Sequence, residues 1–294
     1  MVIFQVILID SAKIRKSFPK GDLFYPNLLT LHDILQHKKM TDISKILLER
    51  RSIRKYTSDP VDDEFLNEIL TMGCRASTTG NMQVYSIIAT RDKEKKKELL
   101  PLHFNQRMIT EAPVVLTFCA DFNRFNKWCR MRYAEPGYDN FLSFFTAAID
   151  ALLVAQTVCI AAESKGLGIC YLGTTTYMAH KIIEALDMPK GVVPVATVTM
   201  GFPAESPEKV DRLPLEAVVH HETYHDYTAD SINRFYREKE ARNDSMQFVA
   251  ENKKETLAQV FTDIRYKKED NETFSKILLT VLHDQGFMIQ NPGN

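Results

Sequence analysis

"RRSIRKYTSDPV", residues 50–61, places three arginines within a five-residue window, with Ser52 among them and Pro60 soon after. Such a concentration of donors collects negative charge from nucleic acid, from an acidic helix face, or from the phosphate of a small cofactor. Arg51 and Arg54 are three apart, so they share a face if a helix continues and converge if it unwinds at Ser52. Two guanidiniums and a hydroxyl can saturate the oxygens of one phosphate with charge-assisted hydrogen bonds. Taken alone, the segment reads first as a basic last turn complementing a helix dipole.

The rest of the chain narrows the choice. Its 294 residues suffice for one large domain or two modest ones. Lys and Arg number 37 against 38 Asp and Glu, a formal net charge of -1. A dedicated nucleic-acid binder carries a basic surplus, so this balance argues against one. Hydrophobic residues make up 45% and charged residues 26%, the proportions of a soluble globular protein. Five scattered cysteines without a CxxC pair predict reduced thiols in the cytoplasm rather than a disulfide frame or a metal site. "MVIFQVILID" lacks the basic region and small-residue cleavage site of a signal peptide. Residues 141–162, "FLSFFTAAIDALLVAQTVCIAA", have the length of a membrane span, but Asp150 stands at their centre. The expectation is a buried helix and no membrane. Being apolar on most sides, it points to contact between subunits.

Residues 1–39 show no sustained period and read as a peripheral leader. A helix opens at Thr41, capped by Thr41 or Asp42, with Ile43, Ile46 and Leu47 at helical spacing. A working domain is therefore expected over residues 40–225. "DDEFLNEILTMG" (62–73) predicts a second helix, with acidic residues in its first turn. "VYSIIAT", "APVVLTFCAD" and "GVVPVATVTMGFP" predict strands, and "RDKEKKKELL" a charged helix face with solvated lysines. Strands alternating with helices predict a sheet covered by helices. Residues 226–294 read as helical: Leu257, Val260, Phe261 and Ile264 repeat at the helix period. So do Phe274, Ile277, Leu278, Val281 and Leu282, with Gly286 as the C-terminal cap.

Three further stretches carry candidate chemistry. In "RASTTGNMQVYSIIAT" (75–90), Ser77, Thr78, Asn81 and Gln83 crowd a loop and can hydrogen-bond a polyol or the edge of a heterocycle; ordinary turn chemistry explains them equally. In "SKGLGICYLGTTTY" (164–177), Gly166, Gly168 and Gly173 admit close backbone approach, and Thr174 to Thr176 add hydroxyls. This stretch matches neither GxGxxG nor a P-loop, and a Gly-terminated helix turning into the next element is its plain reading. In "ESPEKVDRLP" (205–214), Lys209 and Arg212 lie on a Pro-bounded loop. His220 and His221 adjoin without metal spacing and read as surface residues.

Taken in order, R-R-S-I-R, S-T-x-G-N-x-Q, G-L-G-x-x-Y-L-G and K-x-x-R-L-P resemble the FMN-dependent nitroreductase family, closest to its NADPH-using branch. "FCADFNRF" (118–125) and the Asn105–Gln106 pair add to the likeness, which covers about Met40 to the C-terminus. The resemblance implies an α+β fold: a central mixed β-sheet flanked by helices, homodimeric, with a helical C-terminal extension packing on the core or the partner subunit. It implies bound FMN, with NADPH or NADH as co-substrate, and a small-molecule acceptor such as a nitroaromatic or quinone. The two half-reactions share one site, hydride passing through flavin N5. Flavin reduction, reductive dehalogenation and a non-catalytic flavin-binding redox protein are the alternatives.

By the same resemblance, Arg51, Ser52 and Arg54 form the phosphate cradle, with Arg50 beside them where this branch commonly has histidine. Ser77 or Thr78, with Gln83, lies along the ribityl chain and ring, and Gln106 reaches the flavin from its own loop. Leu172, Gly173 and Thr174 present backbone groups near N5. Lys209 and Arg212 approach the N1/C2 edge or the phosphate; the family often has K-x-R, whereas here Val210 stands two before Arg212. No catalytic side chain and no metal are required, because the flavin carries the electrons. Lys253 and Lys254 are candidates for the extra phosphate of NADPH, though two adjacent lysines also read as a solvated face.

Overall fold

The run Val114–Asp121 is buried at every position, and it lies inside the sheet of a computed structural model that describes residues 42–288. Burial on both faces is what a strand needs when helices cover the sheet on both sides. In chain order the strands are β1 (Tyr85–Thr90), β2 (Val114–Asp121), β3 (Gly168–Leu172) and β4 (Val192–Gly201). They lie side by side as β1-β2-β4-β3. The leader, residues 1–39, and the helix cap assigned to Thr41 fall outside the described residues.

Every strand pair is antiparallel, which corrects the expectation of a mixed sheet. Alternating strands and helices fix the layering but not strand direction, and that was the only signal available. Among the described residues, the isolated bridge between Ser52 and Ile169 is the one parallel contact. The β2–β4 register slips between Phe118 and Cys119, so Val195 is the extra residue beside Pro194. Proline donates nothing to a ladder, and a bulge is where a central strand tolerates it.

The helices are α1 (Asp42–Glu49), α2 (Asp63–Gly73), α3 (Lys93–Leu102), α4 (Met108–Glu111), α5 (Asn123–Arg130), α6 (Phe141–Ser164), α7 (Ala179–Ala185), α8 (Ala229–Glu240), α9 (Asn243–Glu251), α10 (Leu257–Val260) and α11 (Lys268–Asp284). Asp62 caps α2, its carboxylate accepting the Phe65 N–H at 2.8 Å. Helix α6 packs Ala151, Val154 and Val158 onto Leu116, Phe118, Ile169 and Val198 of the sheet. Gly73 of α2 lies against it so closely that a Cβ there would sit 2.1 Å from Val158 Cγ2. Asp150 is fully buried; its Oδ1 accepts the Thr79 N–H at 2.9 Å, and its Oδ2 is buried without a hydrogen-bond partner. Burial covers only one face of α6: Leu142, Phe145, Ile149, Leu152 and Leu153 are exposed.

The last helix joins a second core, with Val281, Leu282 and Phe287 packed among Phe122, Phe144, Ala179 and Val193. Gly286 adopts φ +86° just beyond the helix end. Its N–H reaches the His283 carbonyl, and the Phe287 N–H reaches Leu282 at 2.8 Å, the paired bonds of a Schellman stop. Three local readings change. Lys96 is not solvated: it is buried, with Nζ donating to the carbonyls of Ala112 (2.7 Å) and Thr110 (3.3 Å) at the end of α4. The period from Leu257 to Ile264 is helical only to Val260 and then widens into a π-turn, Phe261–Arg265. "GICYL" is strand β3 rather than part of a turn.

Candidate functional site

Beyond α1 the chain unwinds, so Arg50 to Tyr56 run as an extended ribbon along β3. The Ile53 N–H donates to the Ile169 carbonyl at 2.9 Å, and the Thr57 N–H to Phe202 at 2.9 Å. Tyr56 Oη donates to the Ile53 carbonyl at 2.7 Å and also meets Thr199. Ile53 is buried against Gly168, where any Cβ would fall within 2.6 Å of its side chain. The segment is therefore held by backbone bonds and a glycine contact, which leaves its polar side chains free to face outward.

Those side chains meet carboxylates of their own. Arg51 Nη1 donates to Ser206 Oγ at 2.9 Å, and Nη2 lies 3.5 Å from Glu49. Lys209 Nζ reaches the same Glu49 at 2.9 Å, so two sequence-assigned cations share one carboxylate. Lys209 holds the Glu49 carboxyl below its usual range through that bond. Glu205 Oε1 accepts the backbone N–H groups of Arg54 (2.8 Å) and Lys55 (3.2 Å), fixing the ribbon's far end while the Arg54 side chain stays exposed. Arg50 faces Glu163 at 3.9 Å. Burial pushes the Glu163 carboxyl up to about 7 against the pull of that arginine. Arg50, Arg51, Glu49, Glu163, Glu205 and Ser206 line one cleft of about 320 Å³ beside Gly166 and Gly168.

Arg212 is not drawn into this cluster. It is exposed, donating to the Asp211 carbonyl at 2.8 Å, while the Asp211 carboxylate pairs with Lys239. Ser52 stays on the ribbon, bridged to Ile169. Strand β3 then runs on to Leu172, Gly173 and Thr174. Gly173 is exposed, with no atom within 4 Å of the position its Cβ would take. Thr175 Oγ1 donates to the Leu172 carbonyl at 3.1 Å, closing the turn from inside. Gln106 lies on the α3–α4 loop, which a hydrogen bond between His103 and Thr174 joins to this turn.

Ser77, Thr78 and Gln83 lie elsewhere. Their loop precedes β1, at the opposite edge of the sheet from β3 and the arginine ribbon. Thr79 anchors it to Asp150, and Gln83 sits at φ +54° with its carbonyl held by Arg124 and its amide donating to Asn81 at 3.2 Å. Within one chain the ribbon and Lys209 thus gather at the start of β3, the Leu172–Thr174 turn and the Gln106 loop at its end, and the Ser77–Gln83 loop lies at the opposite edge of the sheet.

Sequence reasoning missed Glu49, Glu163, Glu205 and His103. Glu163 carried a faint signal, a charge at the end of an apolar helix run; the others carried none. The donor set fits a phosphate-tailed ring cofactor such as FMN. Guanidiniums, an ammonium and a hydroxyl gather at one end of β3, and at its other end an exposed glycine offers bare backbone.

Comparison with known proteins agrees. A curated FMN reductase [NAD(P)H] of Bacillus subtilis (strain 168) is 39% identical over 193 residues, 63% of this chain and 75% of that one. An FMN reductase (NADPH) of the same organism is 35% identical over 212 residues, covering 68% and 85%. A crystal structure of a provisionally named oxidoreductase from Bacteroides fragilis NCTC 9343 superposes with a TM-score of 0.82 at 58% identity, over 83% of this chain and 99% of that one. Residues 47–202, from the end of α1 to the end of β4, match the Nitroreductase family model, and with the ribbon, turn and loops in the order found here the chain belongs to that family.

Proposed function

We propose that this chain binds FMN and passes reducing equivalents from NADPH or NADH to a small-molecule acceptor, a nitroaromatic, a quinone or a free flavin. The observation that carries the proposal is the alignment of two donor sets along one strand of a nitroreductase-family chain. The Arg50–Arg54 ribbon flanks the start of β3, and the Leu172–Thr174 turn follows its end. FMN, when bound, supplies the two-electron chemistry. The protein's part is to bind, orient and polarise. Arg50, Arg51, Ser52 and Arg54 hold the anionic tail; Gly173 lets backbone reach the ring; Gln106 meets it from its loop. Lys209, which shares Glu49 with Arg51, adds positive charge beside the anionic tail, and Arg212 stands apart from it. A free flavin as acceptor is favoured by the names of the two Bacillus relatives.

The working unit we propose is a homodimer. Three strand spacings separate β3 from β1, roughly 14 Å across the sheet. A ligand resting on the ribbon and turn therefore finds no Ser77, Thr78 or Gln83 within its own chain. The same loop of a second copy can supply them if the copies meet across α6. Its exposed Leu142, Phe145, Ile149 and Leu152 recur at spacings of three and four, an unpartnered apolar stripe suited to a two-fold contact. The buried face of α6 and the hydrogen-bonded Asp150 fit a core helix rather than a span. Five free cysteines, four of them buried, fit a cytoplasmic protein. For the NADPH phosphate, Lys254 already pairs with Asp263 at 2.8 Å, and Lys253 stands exposed in a left-handed turn. We assign that contact to Lys253.

The test is direct. The purified protein should be yellow, bleach with NADPH under anaerobic conditions, and recolour when a nitroarene or free FMN is added. Joint replacement of Arg51→Ala and Arg54→Ala should strip the flavin. Undiminished retention removes the role assigned to the ribbon, and a colourless protein indifferent to FMN removes the whole proposal.

A further inference from the structure

His103 joins two loops that lie 71 residues apart in sequence, and it does so from the interior. It is fully buried, and its Nδ1 lies 2.8 Å from Oγ1 of Thr174, itself buried. Burial lowers the imidazole pKa to about 4, so at neutral pH the ring has one N–H and one lone pair. Whichever nitrogen bears the proton, the bond to Thr174 fixes the threonine hydroxyl away from solvent.

The loop that His103 opens is strained. Phe104 and Asn105 take φ +53° and +55°, two successive left-handed residues without a glycine. Such pairs persist only where the surroundings over-determine them. Here the Asn105 N–H returns to Leu100 (3.0 Å) and the Gln106 N–H to His103 (3.1 Å). Above the loop, the Phe104 ring stacks on Tyr177 at 6.5 Å, and Tyr177 on Phe274 of α11 at 4.5 Å. The Gln106 loop is therefore tied to the Leu172–Tyr177 segment at two points, polar inside and aromatic outside.

We propose that His103 is a positioning residue that sets the spacing between Gln106 and the Leu172–Thr174 turn, with Phe104–Tyr177 as its outer counterpart, so that both loops address one bound flavin as a single rigid unit. This rests on the reading that FMN lies between them. A buried side chain serving the core alone has no need of a strained loop locked on both sides.

The experiment uses the FMN-loaded protein and reads FMN affinity, the visible flavin spectrum and the midpoint potential beside thermal stability. Asparagine can place a hydrogen-bonding atom where Nδ1 stands; leucine cannot. His103→Leu and Thr174→Val should each shift the flavin bands and weaken FMN binding roughly five- to tenfold, the scale of one buried hydrogen bond. The double variant should be no worse than either single one, because both remove the same bond. His103→Asn should recover the native spectrum, and Phe104→Ala should shift the bands in the same direction as His103→Leu. The proposal is overturned if His103→Leu changes only the melting temperature, if His103→Asn behaves like His103→Leu, or if the two losses add. A wild-type protein that takes up no FMN overturns the underlying functional reading instead, and urea denaturation of the apo-proteins separates that case from misfolding.

Discussion

Gly168→Ala tests the way the arginine ribbon is held. A Cβ at residue 168 would lie 2.6 Å from Ile53 Cγ1, 2.7 Å from Cβ and 2.8 Å from Cγ2. Because Cβ is fixed to the backbone, no rotamer of Ile53 relieves the clash. Restoring an ordinary 3.4 Å contact requires the ribbon and β3 to part by about 0.7 Å, the difference between 3.4 and 2.7. The bond from Ile53 N–H to Ile169, now 2.9 Å, then stretches past useful length. Overpacking of this kind costs about 1–3 kcal/mol and the strained backbone bond about 1 kcal/mol more. Urea unfolding should therefore show a loss of about 2–4 kcal/mol with an unchanged m-value. The same displacement moves Arg51 and Arg54 together, so FMN titrated by fluorescence quenching should bind less tightly. Adding Ile53→Ala removes both Cγ atoms but leaves the Cβ conflict, and should not restore FMN affinity. A Gly168→Ala protein with native stability and native affinity, or full rescue by Ile53→Ala, would refute the reasoning.

The remaining predictions concern charge and assembly. Glu163 has its folded pKa raised from 4.5 to about 7, so its contribution to stability is complete below the ordinary carboxylate range and is lost as pH rises through about 7. Discounted for solvent screening, the apo-protein should lose about 1–2 kcal/mol between pH 4.5 and 8 on this account, and Glu163→Gln should flatten that slope in urea unfolding; parallel pH profiles would contradict it. Lys96→Met strips the carbonyls of Thr110 and Ala112 of their buried donor and should cost about 1–3 kcal/mol by thermal or urea unfolding, an unaltered midpoint being the contrary result. Ile149→Glu with Leu152→Glu places two carboxylates on the exposed α6 stripe; light scattering should show a folded monomer that has lost its flavin, and a flavin-loaded dimer would show that the copies meet elsewhere.

Periodicity made the layers legible. The β-branched runs became β1, β2 and β4, and the apolar stripe from Phe274 to Leu282 became α11, because a repeat of two or 3.6 records which face is buried. Strand direction was not legible, since helices flank parallel and antiparallel neighbours alike. Strand β3 was hidden by its flanking glycines, which signal turns, yet Gly168 is required by Ile53 rather than by a bend. The buried Lys96 was equally invisible: four lysines in ten residues look alike until one of them meets the carbonyl end of α4.

The site itself was legible as motifs and illegible as contacts. A motif names the groups that can meet a ligand, but it says nothing about what holds them beforehand. In this chain three cationic groups near the ribbon come with a carboxylate, Glu49 for Arg51 and Lys209 and Glu163 for Arg50, while the Arg54 side chain stays exposed. That pairing follows from physics, because like charges gathered without a ligand repel and destabilise the fold. It also reconciles a local cluster of arginines with a net charge of -1 over the whole chain. The exposed pairs to Glu49 contribute little to stability, so an incoming phosphate can displace them at small cost. Half-buried Glu163 lies 3.9 Å from the Arg50 guanidinium, beyond hydrogen-bond reach, and acts on it by charge alone. Acidic residues scattered through the sequence are thus part of an anion site, and only the folded geometry shows which ones.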